Sequence, residues 1–230
     1  SAPGTSGGGA IYSNGNVTVI NSNFTNTTAI DIDALSYGGA ISGYNITVIN
    51  STFTNTESRY GGGAISGENI VTVINSTFKD TSSQYGGAIS GYNITMINST
   101  FTNITSRGRG AISGNEITVI GSTFKDTTAS GSGGAIDGTI SINVTNSSFT
   151  NSKATSRDGG AIYNSGSTGS VTVNNCIFVN NTGKDGGAIG GSAKIVTVIN
   201  STFENNNGTG SGSAIGGSAK IVTVINSTFE

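Results

Sequence analysis

The sequence predicts an all-β fold, a right-handed parallel β-helix of about nine coils with an asparagine ladder at one turn. Three observations lead there. A motif recurs every 23–30 residues, β-branched residues alternate strictly within it, and glycine and asparagine punctuate the alternating runs. Together they place residues 1–230 in a single solenoid domain.

The repeat is fixed by its columns. Ala-Ile pairs begin at Ala10, Ala40, Ala64, Ala88, Ala111, Ala135, Ala161, Ala188 and Ala214. All nine phenylalanines fall in one column: Phe24, Phe53, Phe78, Phe101, Phe124, Phe149, Phe178, Phe203 and Phe229. Three residues before Phe stands Asn21, Asn50, Asn75, Asn98, Asn146, Asn175, Asn200 or Asn226, with Gly121 the exception. Two before it stands serine, with Cys176 the exception, and two after it stands Asn or Asp. The stretches 188–204 and 214–230 are identical.

Several solenoids share such a period, so the pattern inside the repeat must choose. Leucine-rich repeats need a leucine framework, and this chain has only Leu35. Helical repeats need apolar spacing near 3.6. Ile46-Thr47-Val48 and Val196-Thr197-Val198 alternate instead, which means strand. Each repeat then holds two or three short strands, Ala-Ile-Ser, Ile-Thr-Val-Ile and Ser-Thr-Phe-Thr. Each strand pairs with its equivalent one coil on, giving a rod of roughly 43 Å. Handedness follows the right-handed rule for parallel crossovers.

Alternation assigns the faces. The columns of Val17, Ile46, Val71, Ile94 and of Val19, Val48, Val73, Met96 point inward, with the Phe and Ser columns, while the threonines between and beside them point out. Each coil buries about four large apolar side chains, worth about 1.5–3 kcal/mol each. That offsets an ordering cost of about 1–2 kcal/mol per residue only when coils stack. The Asn column sits at a bend, where asparagine accepts a left-handed backbone and its amides can bond along the rod. The Asn/Asp column after Phe caps the next turn. Ile20, Ile49, Ile74, Ile97, Ile120, Ile199 and Ile225 lie one step past an inward valine. They form an exposed stripe suited to assembly, unless the asparagine bend rotates them into the core.

Composition excludes several functions. Net charge is −2 and only 10% of residues are charged, which gives no handle for nucleic acid. No apolar run reaches the ~18 residues of a membrane span. Without histidine there is no Ser-His or Cys-His pair and no histidine metal site. No enzyme activity and no cofactor are expected. Asp31 and Asp33 are the one close carboxylate pair, a cation site or a solvated loop. The glycine-rich segments match neither calcium nonapeptides nor phosphate loops. Cys176 reads as a buried, inert thiol. Tyr37, Tyr60 and Tyr85 precede the glycines, with Tyr44 and Tyr92 on a neighbouring edge. They either pack on one another along the rod or bind sugar rings.

Glycosylation sequons are abundant. Asn16, Asn45, Asn93, Asn103 and Asn207 head candidates, whereas Asn-Ser-Thr-Phe sequons on the ladder are expected to be inaccessible.

Gly186-Gly187-Ala188-Ile189, with Phe178 and Asn181 and with Phe203 and Asn206, resembles the GGAI/FxxN repeats of chlamydial polymorphic outer-membrane proteins and of adhesin-like surface proteins of methanogenic archaea. In most other repeats the Asn follows Phe by two residues. The resemblance runs the length of the chain and implies an extracellular or cell-surface β-helix involved in adhesion.

The ends bear on assembly. Residues 1–9 read as a flexible glycine-rich lead, the sequence stops mid-coil at Phe229-Glu230, and neither end carries a recognisable cap. The chain is thus either a segment of a longer protein or a subunit that stacks end to end. The leading expectation is a structural protein of an extracellular fibre or surface layer, a head-to-tail homopolymer whose sequons are open to glycans. The alternative is the stalk of a surface adhesin, built of further repeats. An ice-binding solenoid and a carbohydrate-active enzyme are minor alternatives.

Overall fold

The computed structural model describes residues 8–30 and 37–230. They form a parallel β-solenoid of three sheets running along the rod, of 8, 9 and 15 strands. The second sheet takes one strand from each of nine coils. Register never slips: Val71 pairs with Ile46 on one side and Ile94 on the other, and Phe78 pairs with Phe53 and Phe101. A parallel pairing of like with like keeps every inward side chain inward, because a one-residue slip would turn the whole set out.

One coil shows the parts. Ile89–Ser90 belongs to the first sheet, Asn93–Ile97 to the second and Thr100–Ser106 to the third. The coil has one more strand segment than the sequence pattern predicts. In most coils a two-residue strand such as Glu57–Ser58 or Ser82–Ser83 follows the Phe strand and extends the third sheet. Two residues are too short to reveal alternation, so the segment is invisible in the sequence. Gly8 and Gly9 already belong to the rod, Gly8 bridging Gly38 and Gly9 donating its N–H to the Gly38 carbonyl.

The corners are made by residues that tolerate a left-handed backbone. All eight asparagines before Phe and all eight Asn or Asp residues after it have φ of 48–55°, and Gly121 adopts 60° in the one coil without the asparagine. Only Gly, Asn and Asp visit this region at low cost. The Gly-Gly pair before Ala-Ile answers a different need. A Cβ on Gly62 would overlap the carbonyl oxygen of Ile65 and lie 2.8 Å from that of Ala88, so two backbones meet there with no room for a side chain.

The core is built from columns. Eight successive Phe–Phe pairs stack with centroids 4.7–4.9 Å apart and planes within 5°. Phe53 to Phe203 are 0–1% exposed, as are the Ala-Ile pairs from Ala40 to Ile189. The serine column beside Phe is a hydrogen-bonded ladder, interrupted only where Cys176 takes the place of serine. The backbone N–H of Ser22, Ser51, Ser76, Ser99, Ser122, Cys176 and Ser201 each donates to the serine Oγ of the next coil at 3.1 Å. The asparagines before Phe stay solvent-exposed at the corner, where Asn175 Nδ2 donates to Asn146 Oδ1 at 2.7 Å. A more deeply buried asparagine ladder lies three residues after Phe. Asn181 is 0% exposed, and its Nδ2 donates to Asn206 Oδ1 at 2.9 Å and to the Phe149 carbonyl at 3.1 Å.

Candidate functional site

Two surfaces of the rod are candidates, the outer face of the second sheet and a groove beside the first. The outer face carries the isoleucine stripe. Pairing runs Ile20, Ile49, Ile74, Ile97, Ile120, then Thr145 and Asn174, then Ile199 and Ile225. Ile20 is 53% and Ile120 38% exposed, and the isoleucines between them are half-buried under their neighbours. The stripe therefore faces out. The bend does not rotate it inward, because the left-handed residue comes after the isoleucine. Beside it runs a column of threonines from Thr18 to Thr118.

The glycosylation candidates have distinct settings. Asn16 heads an outward strand and is exposed, and Asn45 Nδ2 donates to its Oδ1 at 3.0 Å. Asn45 in turn accepts from Asn69 Nδ2 at 3.0 Å. Asn93 is half-buried, with its Oδ1 covered and unpaired. Asn103 is exposed at a left-handed corner and donates to Asp80 Oδ1 at 2.6 Å. Asn207 is exposed in a short strand. One expectation is corrected: Asn50, Asn75, Asn98 and Asn200, in the Asn-Ser-Thr sequons, are exposed at the corner rather than inaccessible. The bend that lets asparagine adopt positive φ also swings it to the surface.

The groove, about 850 Å³, runs along the first sheet across the second to fifth coils. Tyr37, Tyr60 and Tyr85 line it with Ser42, Ser66, Ser90 and Ser113. The tyrosines do not stack on one another; among the described residues the stacked aromatic pairs are Phe–Phe. Instead the Arg59 guanidinium lies 5.3 Å from the Tyr60 ring centre, and Tyr85 is 44% exposed. Tyr44 and Tyr92 are exposed and lie in alternate coils, Asn69 coming between them.

The serines pair in one column, Ser42 with Ser66, Ser66 with Ser90 and Ser90 with Ser113. Asp137 follows Ser113 in that column, and Tyr163 follows Asp137. Asp137 is 3% exposed and accepts a hydrogen bond from Ser132 Oγ at 2.7 Å. Burial pushes its carboxyl up to about 6, against the Ser132 hydrogen bond and the charges of Arg109 and Arg157, which pull it down. Burial, then the charges of Asp137 and Asp158, push the Tyr163 hydroxyl up as well. The sequence reading missed this column. The repeated Ile-Ser was legible, but a groove forms only when the tyrosines that precede the glycines and the serines that follow them are stacked over successive coils.

Cys176 is 1% exposed, and its thiol donates to the Asn174 carbonyl at 3.2 Å. Burial raises the thiol to about 11, which leaves it protonated. Asp31 and Asp33 lie outside the described residues. Among the described residues no cluster of His, Cys, Asp or Glu is arranged to hold a metal, and no helix is long and apolar enough to cross a membrane.

Fold and ladders define a parallel β-solenoid repeat protein. Comparison with protein-family models, with curated proteins and with solved structures finds no match.

Proposed function

We propose that this chain is a structural rod of an extracellular fibre or surface layer, extended by coil-on-coil stacking and carrying glycans on its outer corners. The observation that supports this reading is the sameness of every step. Phe stacking and strand register repeat from coil to coil, and the serine ladder does so in every coil but that of Cys176. The columns that one coil presents upward are the columns that the next presents downward. A further coil of this chain, or the first coil of a second copy, would be received by the same ladders. Head-to-tail contact that does not close makes a filament.

Negative-stain electron microscopy and light scattering across protein concentrations test the reading. Rods that lengthen with concentration are expected. Short monodisperse rods at every concentration would overturn self-assembly. They would leave the stalk of a surface adhesin, a reading supported by a lateral groove that stacking does not occupy. Mass spectrometry of the protein from its native source tests the sugars at Asn16, Asn45, Asn93, Asn103 and Asn207.

A further inference from the structure

We infer that the groove along the first sheet binds a linear, neutral polysaccharide chain laid parallel to the rod. Three independent features carry this.

The first is an unpaired polar column. Within the described residues the hydroxyls of Ser66, Ser90 and Ser113 make no hydrogen bond. All three side chains line the groove. These hydroxyls are open to the groove rather than tied to the protein, so they are free to pair with the hydroxyls of a ligand laid along it. These side chains recur once per coil, at a spacing of about 4.8 Å. A repeating site of this kind suits a repeating polymer better than a compact ligand.

The second is aromatic. Tyr60 and Tyr85 stand one coil apart on the groove wall, and neither stacks on the other. Tyrosine offers an apolar face for the C–H side of a sugar ring and a hydroxyl at its rim.

The third is charge. The groove lining holds one carboxylate, Glu68, and one guanidinium, Arg109, which balance. A nucleic acid or polyuronate would need a run of cations to replace its counterions, and the lining has none. A neutral glycan needs only hydroxyl partners and ring faces. In the next coil the serine column gives way to Asp137, tied to Ser132, and then to Tyr163.

The chain has no tryptophan, and three of its seven tyrosines line the groove, so tyrosine emission includes a contribution from the groove that ligand binding should change. The experiment titrates the purified protein with cellohexaose, xylohexaose, mannohexaose, chitohexaose and hexagalacturonate, read by tyrosine fluorescence and calorimetry. It is run at protein concentrations where light scattering finds single rods, so the result is independent of filament formation. Saturable binding of at least one neutral hexasaccharide is expected. Tyr85→Ala should weaken it about tenfold, and Ser90→Ala should weaken it measurably. Thr72→Ala, on the outer face of the second sheet, should leave it unchanged. Circular dichroism identical to the parent shows that each variant folds. No binding of any neutral hexasaccharide at about 1 mM, binding of hexagalacturonate alone, or binding indifferent to Tyr85→Ala in a folded variant would each overturn the inference.

Discussion

The backbone N–H of Ser76 donates to Ser99 Oγ at 3.1 Å, and the same hydroxyl donates to the carbonyl of Ile97 at 2.9 Å. Each serine thus accepts from the coil before it while closing its own corner. A small hydroxyl beside the phenylalanine stack satisfies two buried backbone groups that the turn would otherwise leave unpaired.

Cys176 breaks that series. Its N–H still donates to Ser201 Oγ at 3.1 Å, but sulfur replaces the oxygen that Ser147 would meet. Cys176→Ser restores a hydroxyl there, and thermal unfolding should show equal or higher stability, by up to about 1 kcal/mol. In the parent protein, a thiol held at about 11 and 1% exposed should react with a disulfide reagent only on unfolding. Rapid labelling under native conditions would contradict this.

Phe101 lies between Phe78 and Phe124 at 4.8 and 4.7 Å and is fully buried. Phe101→Ala removes two stacking contacts and opens a cavity mid-rod. Denaturant titration should show a loss of about 3–5 kcal/mol.

Asn98 has φ of 49°. Asn98→Ala forces a Cβ-bearing residue into the left-handed region and should cost about 1–2 kcal/mol. Asn98→Gly should cost much less, since Gly121 makes the corresponding corner in the next coil. Equal losses for the two variants would mean that the side-chain amide, not the backbone angle, holds the corner.

Asp137 should make stability depend on pH. Its carboxyl lies at about 6 in the folded protein against an ordinary 3.8, because burial outweighs Ser132, Arg109 and Arg157. Between these values the folded state keeps a proton that the unfolded chain has released. Stability therefore falls as pH rises from about 4 to about 6, by on the order of 3 kcal/mol, and stays reduced above that. Asp137→Asn should flatten this part of the melting-temperature profile. An unchanged slope would place the titration elsewhere.

The inward columns were legible because alternation over five residues such as Asn93–Ile97 carries its own orientation. The left-handed corners were legible from residue type alone. The short strand Ser82–Ser83 was not, being too brief for periodicity. Nor was the exposure of Asn98, since sequence marks a bend without saying which side of it meets solvent. The buried ladder of Asn181 and Asn206 explains the two spacings after Phe. The residue two positions on takes the left-handed corner, and the residue three positions on returns to the interior.

By itself the sequence determined the coil: its period, its inward and outward columns, and the residues able to turn its corners. These are local properties, set by side-chain volume, alternation and backbone preference. Only the tertiary structure decided what successive coils make together. The serine ladder, the outward isoleucine stripe and the groove that brings Tyr60 and Tyr85 beside the serine column all depend on register between coils and on the path of loops. Residues from Tyr37 to Ser113 meet in that groove because stacking sets equivalent positions less than 5 Å apart, however far apart they lie in the chain.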